Sequence, residues 1–200
     1  MKLSRARKIT VKLILIYALV VVLIYFARQP SLREATFWIG LVPIVLGQAI
    51  RSWAAGHLTK NKELTTTGPY AYVKNPLYIG TFLIMVGFCV MAQAAPRGTW
   101  YFDHANWILL GIGILGFVAY YVPYKKKREG DRLRDIFGPA WDDYDRAVPD
   151  YFPRLTPYTR GGKKWSFRMM VENSEAWTPL AIAAGVLALV FHDSWVRWFV

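Results

Sequence analysis

Long apolar runs separated by short polar stretches dominate this chain. Ile9–Phe26 is a run of 18 residues with one lysine, Lys12, near its start. At 1.5 Å per residue it reaches about 27 Å, close to the thickness of a hydrocarbon core. Lys2, Arg5, Arg7 and Lys8 precede it, as in the front of a secretory signal, but Tyr25-Phe26-Ala27-Arg28 offers no small-residue cleavage site. A retained first span is expected. Thr36–Ala55, Leu77–Ala95 and Ala105–Tyr124 predict three more spans. Pro179–Phe191 is shorter and reads either as a short or tilted fifth span or as a membrane-surface helix. The pattern predicts an all-α, polytopic helical membrane protein of about five spans, one membrane-embedded domain over residues 1–200.

Charge orients the spans. Of 25 Lys and Arg residues, 19 fall in the head, in His57–Asn75 and in Lys125–Glu175; four (Arg28, Arg33, Arg97, Arg197) fall on the other side. Lys12 and Arg51 lie within spans. The positive-inside bias places the N-terminus in the cytoplasm, and the expected location is a bacterial inner membrane. It also accounts for most of the net charge of +12 without nucleic acid, and points the basic loops at anionic lipid headgroups. A hydrophobic content of 54% with 19% charged residues departs from soluble composition. The single cysteine, Cys89, excludes an intrachain disulfide, and His57, His104 and His192 lack metal-ligand spacing, so no metal is expected.

Two inside loops, 56–76 and 125–154, carry specific local chemistry. Thr67-Gly68-Pro69-Tyr70 is a turn sequence. Asn75 before Pro76 is pushed out of the helical region, and Pro76 suits the first turn of the next helix. Asn75 is therefore the expected N-cap of span three. With Lys74 beside it, that helix start reads as a receptor for a carboxylate or phosphate. The plainer alternative is a cap alone, with Tyr70, Tyr72 and Tyr78 in an interfacial aromatic belt. In the second loop, Leu133, Ile136 and Phe137 form an apolar stripe on a short helix ended by Gly138-Pro139. Trp141, Tyr144 and Val148 repeat the spacing on a second helix opened by Asp142 and Asp143. Taken alone, Glu129 reads as a surface ion-pair member.

Together the loops resemble the isoprenylcysteine carboxyl methyltransferase and phospholipid methyltransferase superfamily of integral membrane enzymes. The family runs from a Gly-Pro-Tyr turn to Arg-His-Pro-x-Tyr at the start of a span, then to Glu-Glu-x-x-Leu, Phe-Gly, Tyr and Val-Pro. Here Gly68-Pro69-Tyr70 leads to Lys74-Asn75-Pro76-Leu77-Tyr78. Glu129-Gly130-Asp131-Arg132-Leu133, Phe137-Gly138, Tyr144 and Val148-Pro149 follow. Lys74, Asn75 and Gly130 depart from the pattern. Lysine keeps charge but loses the guanidinium fork, and Gly130 removes one of two carboxylates, which Asp131 is placed to replace.

The resemblance implies S-adenosylmethionine as cofactor, with a lipid or small membrane-partitioned acceptor carrying a carboxylate, amine or thiol. It implies catalytic roles for Tyr78, packing near the sulfonium, and for Glu129, accepting from the ribose hydroxyls or the amino group. Asn75 and the adjoining helix start would take polar cofactor atoms, and Lys74 or Arg128 the carboxylate. Gly68, Tyr70 and Pro76 complete the implied binding set. Two alternatives stand beside it. Gly138-Pro139-Ala140-Trp141 through Val148-Pro149 is similar to the ending of NADPH-dependent sterol reductases, which are about twice as long. A non-catalytic lipid-binding relative is the other. Elsewhere, Gly40, Gly47, Gly80, Gly87, Gly111, Gly113, Gly116 and Gly185 read as close-packing positions, and Cys89 as packing. Residues 160–177 read as an interfacial amphipathic helix or a lid, and Gln48, Arg51 and Glu172 as polar candidates for a pocket rim.

Overall fold

The computed structural model describes residues 29–59, 62–93, 100–116, 122–159 and 162–194. Helices with short turns make up the described secondary structure, and no strand occurs among these residues. The helices are α1 (Ala35–His57), α2 (Pro76–Met91), α3 (Trp100–Asp103), α4 (Ala105–Gly116), α5 (Val122–Phe137), α6 (Pro139–Ala147), α7 (Phe167–Glu172) and α8 (Thr178–Val190). Single 3-10 turns cover Gly68–Ala71 and Glu175–Trp177. Of the described helices, α1 alone is long and apolar enough by itself to cross a membrane; α2, α4 and Glu175–Val190 are shorter apolar helices. The expected first span lies outside the described residues.

Two pairs of glycines bring α1 and α2 together antiparallel. A methyl group added at Gly40 would lie 2.7 Å from the Gly87 carbonyl oxygen, and one at Gly47 only 2.5 Å from that of Gly80. The relation is reciprocal, since added carbons at Gly80 and Gly87 would meet the carbonyls of Gly47 and Gly40. Glycine at i and i+7 on both helices therefore lets the backbones touch. Phe37, Ile44, Met91 and Ala92 fill the space beyond, with Leu189 of α8 closing the cluster. Asn106 of α4 donates to the Cys89 carbonyl at 2.9 Å, a buried bond that ties α4 to α2. Gly185 sits against Phe88, and Gly113 near Met85. For Gly111 and Gly116, no described atom lies within 4 Å of an added carbon.

The polar end is shaped by turn residues. Asn75, with φ −121° and ψ 52°, breaks from helix immediately before Pro76, which starts α2. Gly138, with φ 55°, divides α5 from α6, and Pro139 starts the second helix. Trp141, Tyr144 and Val148 are buried there, with Leu64, Leu133 and Phe137 packed against them. Two details of the expected stripe change. Helix α5 is continuous from Val122, and Ile136 is exposed.

Candidate functional site

Main-chain bonds between distant segments hold the site together. The Lys74 amide donates to the Pro149 carbonyl (2.9 Å), Arg154 to Tyr72 (3.0 Å) and Tyr158 to Ala71 (2.8 Å). The Tyr144 hydroxyl donates to the Tyr70 carbonyl at 2.8 Å, and the Asn75 amide group to the Asp150 carbonyl at 3.1 Å. Residues 70–75 and 144–158 thus grip each other in place of a sheet, which satisfies backbone groups that a buried turn would otherwise leave unpaired.

Beside this seam lies a cavity of about 540 Å³, within the usual range for small-molecule sites. Tyr70, Lys74, Asn75, Pro76 and Tyr78 line one side, and Glu129 to Arg134 with Phe137 line another. Tyr78 and Glu129, on separate helices, face the same space. The lining holds five carboxylates (Glu63, Glu129, Asp131, Asp145, Asp150) against three cations (Lys74, Arg132, Arg134). In a chain of net charge +12 the cavity is locally acidic. Burial pushes the Tyr70 phenol well above its ordinary pKa, and the charges of Glu129 and Glu175 add to the effect. Tyr144 is raised likewise by burial, then by Tyr70 and Tyr158. Both phenols therefore stay protonated and able to donate.

Several expected roles change. Lys74 does not project a spare cation. Its ammonium is paired with Asp145 and, at 3.0 Å, with Asp150, and the side chain is 8% exposed. It bolts the two loops together. Asn75 occupies the cap position of α2 but makes no side-chain capping bond, spending its amide on Asp150 instead. Arg128 is exposed and does not line the cavity. Gly68 does not line the cavity; it has a positive φ of 60° and lies against the His57 ring, where a side chain has no room.

The polar candidates at the rim are also redistributed. Glu172 pairs with Arg168 on the surface, and Gln48 donates to Ser52 while its buried carbonyl oxygen has no partner among the described residues. Arg51 instead pairs with Glu175, a residue the spacing did not single out. The Arg51 Nε donates to Glu175 at 3.1 Å, and its guanidinium also reaches Thr81 and the Leu77 carbonyl. Thr178 completes the set by donating to Glu175 at 3.0 Å.

The segment expected as an amphipathic helix or lid caps α1. Asn173 donates to the carbonyls of Ala55 and Leu58, the Ser166 amide to Gly56 and the Trp165 indole to Ser52. These are carbonyls at or beside the end of α1, where helices need outside donors. Lys163 on the same strap reaches Thr59 (2.9 Å) and Glu63 (2.6 Å), both cavity residues. Hydrogen bonds from Lys163 and Thr59 hold the Glu63 carboxyl below its ordinary pKa. Among the described residues no three His, Cys, Asp or Glu side chains group to hold a metal ion.

Comparison with known proteins agrees with the motif pattern. The chain is 28% identical over 175 residues to the nickel-cobalt-cadmium resistance protein NccN of Alcaligenes xylosoxydans xylosoxydans, covering 84% of this chain and 76% of that protein. It is 28% identical to the cobalt-zinc-cadmium resistance protein CzcN of Cupriavidus metallidurans, covering 79% and 69%. It is 29% identical to a protein-S-isoprenylcysteine O-methyltransferase of Dictyostelium discoideum, covering 63% of this chain and 53% of that enzyme. No solved structure matches it significantly. The family model for phospholipid methyltransferases matches residues 35–138, just over half of the chain and both sides of the cavity. The chain belongs to the phospholipid methyltransferase family.

Proposed function

We propose that this protein is an integral membrane methyltransferase that uses S-adenosylmethionine and acts on a lipid or other membrane-partitioned acceptor. One observation carries the reading: Tyr78 and Glu129 open onto a single cavity whose lining is acidic inside a strongly basic chain. S-adenosylmethionine has a net positive charge, so the lining suits it. NADPH carries several phosphate charges, and the same lining repels it, which weighs against the reductase alternative.

When bound, the cofactor supplies an electrophilic methyl group for in-line displacement. The residues of the chain bind, orient and exclude water. Glu129 and Asp131 accept hydrogen bonds from donor groups of the cofactor. The phenol of Tyr70 stays a donor because burial and nearby carboxylates keep it protonated. Tyr78 offers an aromatic face, which suits a sulfonium. Lys74 is committed to Asp145 and Asp150, and Arg134 to Asp142; Arg132 is the lining cation placed for the cofactor carboxylate. Leu64, Leu133, Phe137 and Trp141 dry one wall.

In this reading α2, α4 and α8 cross the membrane with α1. The two basic loops face the cytoplasm of a bacterial inner membrane and touch anionic headgroups, and the acceptor enters from the bilayer. Titrating the detergent-solubilised protein with S-adenosylhomocysteine and with NADPH tests it. Binding of the first and not the second is expected, with Glu129→Ala weakening it about tenfold or more at unchanged melting temperature. Binding of NADPH alone, or full affinity in Glu129→Ala, overturns it.

A further inference from the structure

Gly130 lies at the ninth position of the 16-residue helix α5. Glycine there weakens the helix relative to alanine, and neither of the ordinary reasons for tolerating it applies. Its backbone is not among the positive-φ glycines, which are Gly68, Gly138 and Gly162. Nor does anything crowd it, since no described atom lies within 4 Å of an added carbon, unlike the α1–α2 glycines. Gly111 and Gly116 are equally open, but they do not line the cavity, and Gly130 does. The bare backbone is therefore a surface offered to a ligand.

The neighbours of Gly130 narrow what that ligand presents. Leu133 and Phe137, three and seven residues on, share its face of the helix and pack onto the Trp141 cluster. Glu129 and Asp131 flank it, and both line the cavity. The surface is thus a largely apolar track with hydrogen-bond acceptors at its edges and Arg134, four residues on, bordering it. A planar ring with an amino group at its rim fits this; a sulfonium, an ammonium or a hydroxylated sugar does not call for it.

Resting on the cofactor reading above, we infer that the adenine ring of the methyl donor lies across the bare α5 backbone at Gly130, its amino edge toward Glu129 or Asp131. Gly130 is in that case the residue that sets nucleoside affinity.

Calorimetric titration of the wild type, Gly130→Ala and Gly130→Leu tests this, with S-adenosylhomocysteine and with methylthioadenosine, which keeps the nucleoside and lacks the amino-acid half. Expected is a loss of about tenfold for alanine and more than about a hundredfold for leucine, for both ligands alike. Melting temperatures should be at or above that of the wild type, because both residues favour helix over glycine. Unchanged affinity in a folded Gly130→Leu overturns the inference alone. Weakened S-adenosylhomocysteine binding with unchanged methylthioadenosine binding overturns the ring placement. A wild type that binds neither ligand overturns the cofactor reading, and this inference with it.

Discussion

Gly47 and Gly80 face each other across α1 and α2 with no room for a methyl group, whereas Gly130 on α5 looks into open space. Sequence spells the three alike, each a glycine inside a helix. At the α1–α2 seam the missing side chain lets two backbones meet and pack. At the cavity wall it leaves backbone uncovered at the expense of helix stability. The first use serves the fold and the second, as proposed above, a ligand, and substitution separates them.

The largest effect is expected at the seam. Gly80→Ala should force the helices apart and cost about 3 kcal/mol, while Gly130→Ala should gain up to about 1 kcal/mol. Thermal unfolding in one detergent measures both, and an equal response at the two sites would erase the distinction. Next comes the charged joint beyond the seam. The side chains of Arg51 and Glu175 are only 18% and 10% exposed, so Glu175→Ala strands a cation. It should cost about 3 kcal/mol, with Glu175→Ala/Arg51→Met recovering part of the loss.

The smallest effect is at the cavity rim. Lys163 and Thr59 depress the Glu63 pKa, so this contact stabilises the fold above the unfolded value of 4.5. The contribution fades as the pH falls through the lower folded value. Lys163→Met should flatten that part of an acid titration of stability and leave the glycine seam unaffected, since the ionisable side chain against it, Arg51 beside Gly80, keeps its charge throughout that pH range.

The loops that build the cavity were legible because their signals are local. Asn75-Pro76 and Gly138-Pro139 dictate helix starts from neighbouring residues, and Trp141, Tyr144 and Val148 reveal a buried face by spacing. What escaped depended on distance. Arg51 and Glu175 are 124 residues apart, and nothing in the spacing favoured Glu175 over Glu172, which the structure spends on Arg168 one turn away. Lys74 looked like a spare cation because its two acids, Asp145 and Asp150, lie on the other loop. Five separate apolar runs were visible; the first lies outside the described residues, and among the described helices length and composition single out α1 as a sufficient span. Of the α4 glycines that shared the spelling of the seam, Gly113 meets Met85 of α2, while Gly111 and Gly116 meet no described atom.

The grip of residues 144–158 on residues 70–75 has a consequence for biosynthesis. A ribosome that has released α1, α2 and α5 has still not supplied the carbonyls of Pro149 and Asp150 or the hydroxyl of Tyr144 that fix the turn before α2. The pocket can close only after the later segment emerges, so nascent chains arrested before residue 144 should lack it however well their hydrophobic helices have inserted.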